Sequence, residues 1–300
     1  MDKLKSRTAF KLLAFVLYLC GAQIAVASDR GLAWELKSAD GTQTAFLVGS
    51  VHLANASFYP LNPSIMDAFE RAEVLLVEAD ETLLSPQQQQ ALISKYALYP
   101  EGQSYTDHLP KQVVDQVEVM FESLGVVDPA SMFSRYRPGM LGVTLAAVQA
   151  QALGYTAEYG LDNYFIEKAR YKKTIQEIEG LEFQIKLIAD LPVTGELFRD
   201  ALLDMADFET EWKGLEQAWK KGNSQRMYEL AIGSALRDFP RLSEYYETLF
   251  FDRNVGMVDK AEQCMARSVC FVLVGAGHLV GPRGMVDLFE AKGFQARQLP

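Results

Sequence analysis

Four short apolar runs, each cut off by glycine or a carboxylate, constrain this chain more than any other feature. TAFLVG (44–49), AEVLLVEAD (72–80), KKTIQEIEG (172–180) and VCFVLVG (269–275) have the length of strands, and long stretches with apolar residues at helical spacing separate them. Strands alternating with helices point to an α/β protein with a mostly parallel central sheet flanked by helices. Helices are expected near 86–98, 110–124 and 138–153. The last of these, PGMLGVTLAAVQAQALG, opens with proline and closes with glycine as a core helix does. Residues 182–266 carry apolar residues at helical spacing throughout, so this block is read as a helical subdomain inserted before the last strand.

The N-terminus stands apart from this pattern. Lys3, Lys5, Arg7 and Lys11 precede the apolar run LLAFVLYLCGAQIAVA, which ends in the small residues Ala25-Val26-Ala27. That order reads as a secretory signal peptide, with cleavage expected between Ala27 and Ser28, the alternative being an uncleaved membrane anchor, for which the apolar run is short. The expected product is an exported, periplasmic domain covering residues 28–300, with no transmembrane segment after cleavage. Loss of four basic groups and one acidic group with residues 1–27 takes the net charge from -10 to -13. A surface so acidic excludes a nucleic-acid partner, whose phosphates need basic residues. Cys20 leaves with the signal, and Cys264 and Cys270 remain, either as a disulfide suited to an oxidising compartment or as two buried thiols.

Two of the three histidines repeat one local pattern. FLVGSVHLA (46–54) and VLVGAGHLV (272–280) each carry an apolar strand and then Gly-x-x-His-Leu. Ligands of open α/β sheets bind beyond the carboxyl ends of the strands. Gly49 and Gly275 are expected to let the backbone turn sharply there, so that His52 and His278 meet over the sheet edge. The other two runs deliver Glu78, with Asp80 beside it, and Glu179 to their ends. Two histidines and two or three carboxylates make a set of metal ligands with a spare base, suited to Zn, Mn, Co or Fe more than Ca or Mg. His108, with neither strand nor glycine before it, reads as structural. Arg135 and Arg137, Arg253 with Asn254, and the glycines 277, 281 and 284 are candidate substrate contacts, as a carbonyl clamp and an anion nest respectively. No HExxH, Gly-x-Ser-x-Gly, P-loop or Rossmann fingerprint occurs.

Together these segments resemble the TraB/GumN family, which includes the Tiki metalloproteases of animals. The likeness runs through LVGSVHLAN, AEVLLVEAD, RPGMLGVTLAAVQ, YGLDNYFIEKA, IEGLEFQ, FDRNVGMVDKA and VGAGHLVGPRGMVDLFEAKGF, in the family's order. It implies a divalent-metal-dependent hydrolase, with Mn or Co as the ion and a peptide or protein as substrate. Carried over by motif, His52 and His278 match the family's histidines, Glu78 and Glu179 its acidic positions, and Arg253 and Asn254 its Arg-Asn pair. Glu182 competes with Glu179, because the family usually shows leucine before its glutamate. The expectation is an exported metallopeptidase in which His52, His278 and one of Glu78 and Glu179 hold the ion. The other glutamate acts as base, Arg253 or Arg137 assists the oxyanion, and Asn254 and Gly277 contact substrate. Two other readings stand beside it: a non-catalytic periplasmic binding or regulatory protein, and a metal-dependent esterase or amidase.

Overall fold

The computed structural model describes residues 29–300 apart from residue 194; the side chains at 204 and 206 are also left aside. The signal peptide and its cleavage site therefore lie outside the described residues. One six-stranded sheet organises the chain. Its strands are β1 (Ala33–Lys37), β2 (Thr44–Ser50), β3 (Val74–Val77), β4 (Thr174–Glu177), β5 (Cys270–Gly275) and β6 (Gln295–Gln298), in the order β4-β3-β5-β2-β1-β6. The four sequence-read strands are the parallel ones, with β5 paired to both β2 and β3, and β3 to β4. β3 is buried at every position, and β5 at all but its last, which is why both read as unbroken apolar runs.

Two strands extend the expected sheet. β1 pairs antiparallel with β2 and with β6, so the chain closes one edge with an antiparallel strand pair. β6, QARQ, follows the helical block and β5, so VCFVLVG is the penultimate strand rather than the last. Neither strand announces itself by hydrophobicity. β6 is polar at three of its four positions, and β1 holds a buried glutamate, Glu35, which is 4% exposed. Its carboxylate is answered by Arg297 at 2.7 Å on β6 and Arg71 at 3.2 Å.

The helices that position the rim of the sheet are α1 (Pro63–Arg71), α2 (Pro86–Leu92), α3 (Pro138–Ala152), α4 (Leu161–Ala169), α5 (Leu181–Ala189), α6 (Asp252–Met265) and the single turn α7 (Ala276–Leu279). Phe69 of α1, Phe165 of α4 and Phe271 of β5 interlock with ring centroids 4.8–5.4 Å apart. This aromatic trio fixes two helices against the middle of the sheet. Between β4 and β5 the described residues are helical with no strand, as the spacing in 182–266 predicts. Cys264 and Cys270 form a disulfide that ties the end of α6 to the start of β5. No helix among the described residues is long and apolar enough to cross a membrane.

Candidate functional site

The parallel register brings four strand ends to one rim. Ser50 pairs with Gly275, Val77 with Leu273, and Val77 also with Glu177, so the residues just beyond β2, β3, β4 and β5 emerge together. Those residues are His52, Glu78, Glu179 and His278. Backbone N–H groups of Glu179 and Gly180 both donate to the carbonyl of Glu78, at 3.0 and 2.9 Å, which keeps the two glutamates side by side. Gly180, at φ +88°, then lets the chain turn into α5, a conformation that L residues avoid.

The two histidines are held alike. His52 Nδ1 lies 2.8 Å from Asp162 Oδ2, which also accepts the Ser50 hydroxyl at 2.5 Å. His278 Nδ1 lies 2.6 Å from Asn254 Oδ1, and Asn254 Nδ2 donates to the Arg283 carbonyl at 2.8 Å. That second bond orients the amide, so its oxygen faces the imidazole. With both Nδ1 atoms engaged, both Nε2 atoms are left toward the rim. His278 Nε2 is 3.9 Å from Glu78 Oε1. A Cβ placed on Gly275 would stand 3.3 Å from Glu78 Oε1, 3.5 Å from His278 Cδ2 and 3.6 Å from His52 Nε2. The three side chains therefore surround one point.

Close approach of neighbouring atoms, and not a sharp turn, is what glycine accommodates at the two positions, tightly at Gly49 and at Gly275 only toward Glu78 Oε1. Gly275 has φ −48° and ψ 134°, which any residue adopts. Gly49 is limited by Ala276, whose Cβ would be 3.0 Å from an added methyl. The sequence-based reason for these glycines is corrected accordingly.

Arg253 binds both glutamates. Its Nη2 donates to Glu78 Oε2 at 2.7 Å and to Glu179 Oε2 at 2.8 Å, its Nε to Glu179 Oε1 at 2.8 Å, and its Nη1 to the Leu249 carbonyl at 2.9 Å. The remaining glutamate oxygen, Glu78 Oε1, accepts the Gly275 N–H at 2.6 Å. Gln184 adds a bond to Glu78 Oε2 at 2.8 Å and one to Glu179 Oε2 at 3.2 Å. Every carboxylate oxygen is thus engaged within the protein. Among the described residues no three His, Cys, Asp or Glu side chains stand arranged to hold a metal ion.

The electrostatics separate the two histidines. Burial pushes His278 down to about 4, against the pull of Glu78, so its imidazole is neutral at neutral pH. Asp162 raises His52 to about 10, overcoming the desolvation that opposes it. Solvent reaches 62% of the His52 side-chain surface and screens part of that pull. Burial works against the charge of Glu78, but His278, His52, Arg253 and the Gly275 N–H together hold it down at about 2.

Other candidate residues lie differently. Arg137 pairs with Asp190 at 3.4 Å, just beyond the C-terminal end of α5. Glu179 precedes the N-terminal end of that helix, so roughly 15 Å of helix separates the two. Gly277 faces the Phe250 ring, with 2.7 Å to the nearest atom from an added Cβ, and Phe250 in turn packs on His278 at 5.0 Å. Glu182 is exposed and binds Tyr96 and Lys95, while Glu179 sits beside Glu78. His108 stacks on Tyr99 at 4.1 Å. Three site residues escaped the sequence reading: Asp162, Ser50 and Gln184. All three lie inside the segments that carry the family resemblance, Ser50 in LVGSVHLAN, Asp162 in YGLDNYFIEKA and Gln184 in IEGLEFQ, but none was singled out there.

Comparison with known proteins places the chain in a family. The model of the TraB/PrgY/gumN family matches residues 32–298. The chain belongs to the TraB/PrgY/gumN family. Similar proteins include the uncharacterized protein YbaP of Shigella flexneri and that of Escherichia coli strain K12. Each is 26% identical over 255 residues, covering 83% of this chain and 89% of the relative. No solved structure matches the chain. The family match spans all six strands and so every rim residue described above.

Proposed function

We infer that the protein is an exported metal-dependent hydrolase, a peptidase in the manner of the Tiki metalloproteases that its paired motifs resemble. One observation carries this reading: both histidines give up Nδ1 to an oxygen, and both Nε2 atoms and Glu78 Oε1 stand around the Gly275 backbone, His278 Nε2 at 3.9 Å from Glu78 Oε1. Imidazoles that bind divalent ions are oriented in this way by an oxygen on the other ring nitrogen. By chemical type, though not in the arrangement the side chains have here, neutral His278, anionic Glu78 and, once its proton leaves, His52 suit Zn, Mn or Co, and would have to draw together to hold the ion. A divalent ion held there supplies Lewis acidity, acidifying water and polarising a carbonyl.

The chain's own residues do the rest. Asp162 and Asn254 fix the two imidazoles. Glu78, held anionic, serves as ligand, since a carboxyl near 2 is a weak base at neutral pH. Glu179 is the second carboxylate and receives the proton, while Arg253 spans both and turns its cationic edge to the developing oxyanion. Export rests on the signal-like segment ending at Ala27, and the Cys264–Cys270 disulfide supports an oxidising compartment. The test is metal content by elemental analysis and digestion of a peptide library with and without chelator. A protein that binds no Mn, Co or Zn, or a His52→Ala variant that cuts at the full rate, overturns the reading.

A further inference from the structure

Beside the rim lies a cleft of about 430 Å³, within the range of small-ligand sites. Its walls are apolar, from Leu83, Leu84, Leu92 and Leu181, and Leu83 is 64% exposed at its mouth. Glu179 lines it as well, so the cleft reaches one of the two carboxylates held by Arg253.

The polar groups of the cleft are of one sign. No lysine, arginine or histidine lines it, while Asp80, Glu177, Glu179 and Glu182 do. Glu179 is paired with Arg253 and Glu182 with Lys95. Asp80 and Glu177 have no cation partner among the described residues. Asp80 Oδ1 accepts from the Thr82 N–H and hydroxyl, and Glu177 Oε1 from the Asp80 N–H at 2.8 Å. Each has its second oxygen outside these bonds. Arg170 reaches the Thr82 hydroxyl at 3.2 Å instead, and Lys260 and Arg267, which share a second cleft with Glu177, form no ion pair with that carboxylate.

Apolar walls ending in two uncompensated carboxylates suit a side chain with a long aliphatic stem and a positive head. We propose that this cleft is the subsite that seats a lysine or arginine side chain of the peptide substrate next to the scissile bond. The stem lies along the four leucines and the head meets Asp80 and Glu177. The proposal rests on the reading of the rim as a peptide-hydrolysing site, and it excludes acidic side chains from that position.

The test uses binding rather than turnover. Fluorescein-labelled alanine hexapeptides with lysine, norleucine or glutamate at one position are titrated by anisotropy against the intact protein. The lysine peptide is expected to bind about tenfold tighter than the norleucine peptide, the glutamate peptide being weakest. Glu177→Gln and Asp80→Asn keep the hydrogen-bond acceptors and remove the charge, so each should erase most of the lysine preference. Norleucine binding as tightly as lysine, or an undiminished preference in both variants, overturns the subsite. Lysine preference without any metal-dependent cleavage overturns the hydrolase reading and leaves the subsite. Cleavage with no lysine preference does the reverse.

Discussion

Replacing Arg253 with alanine should destabilise the fold far more than an ordinary surface change. The guanidinium side chain is 9% exposed, and it lies between Glu78 at 5% and Glu179 at 8%. Removing one partner of a buried charge group leaves the others uncompensated, at about 3–5 kcal/mol. That is a large share of the roughly 5–15 kcal/mol that holds a domain together. Thermal midpoints should fall by roughly 6–20 °C, since 1 kcal/mol moves a domain of this size by about 2–4 °C. The loss should also depend on pH. Glu78 is held down at about 2 in the folded state, below the ~4.3 of an unfolded glutamate. Its ionised form therefore stabilises the fold above about pH 4.3, and that contribution disappears as pH falls toward the folded value. Arg253 is one of the groups that hold Glu78 low, so the gap between wild type and Arg253→Ala should be widest near neutral pH and narrow in acid. Urea unfolding at neutral and acidic pH reads this out. A loss under about 1 kcal/mol at neutral pH, or an equal loss at both, would refute the view that a buried charge cluster organises the rim.

Further outcomes can be checked alongside. Gly275→Ala should fold with little loss, because its backbone angles are ordinary, yet reduce Mn or Zn binding at least about tenfold, since the new methyl stands 3.3–3.6 Å from Glu78, His278 and His52; calorimetric titration measures the ion. Replacing both Cys264 and Cys270 by serine should lower stability by about 2 kcal/mol in urea, as expected for closing so short a loop. Burial opposes the charge of Glu35, but Arg297, Arg71 and Lys37 outweigh it and lower its pKa, so it stabilises above the unfolded glutamate range and stops doing so as pH falls through its lower folded value. Glu35→Gln should therefore flatten the acid limb of the stability curve, and an unchanged limb would remove β1–β6 ion pairing from the account.

What was legible in the sequence follows from what is buried. β2, β3 and β5 are buried along nearly their whole length, so each reads as an apolar run with a polar terminator, whereas β4, an exposed edge strand, is marked by its position between helices and its closing glutamate and glycine. β6 is an edge strand whose side chains are half exposed, and QARQ carries no apolar period to detect. β1 was hidden by Glu35, because a glutamate within a five-residue run argues against a buried strand unless its cations, here 36 and 262 residues away, are known.

The site divides along the same line. His52 and His278 could be found because scarce histidines stood at fixed distance from strand-ending glycines, a relation local in sequence. Their orienting partners could not. An aspartate in the first turn of a helix is expected on dipole grounds alone, so Asp162 gave no sign that it faced a histidine 110 residues earlier. Gln184 and Ser50 are equally ordinary in type and position. Arg137 erred in the opposite direction: an arginine before a helix-opening proline looked available for substrate, but the fold spends it on Asp190 beyond the far end of α5. Residue type and strand position located the donors, and only the packing of α4, α5 and α6 against the rim determined which way each donor faced. Substitutions at Asp162 and Asn254 thus probe the part of the site that three-dimensional structure alone reveals. Loss of an oxygen that orients a ligating imidazole reduces metal affinity about 10–100-fold. Asn254→Ala should show that loss without a proton-linked component, because His278 is already neutral near pH 7. An Asn254→Ala protein that keeps wild-type affinity would mean that Phe250, and not the amide, sets the imidazole plane.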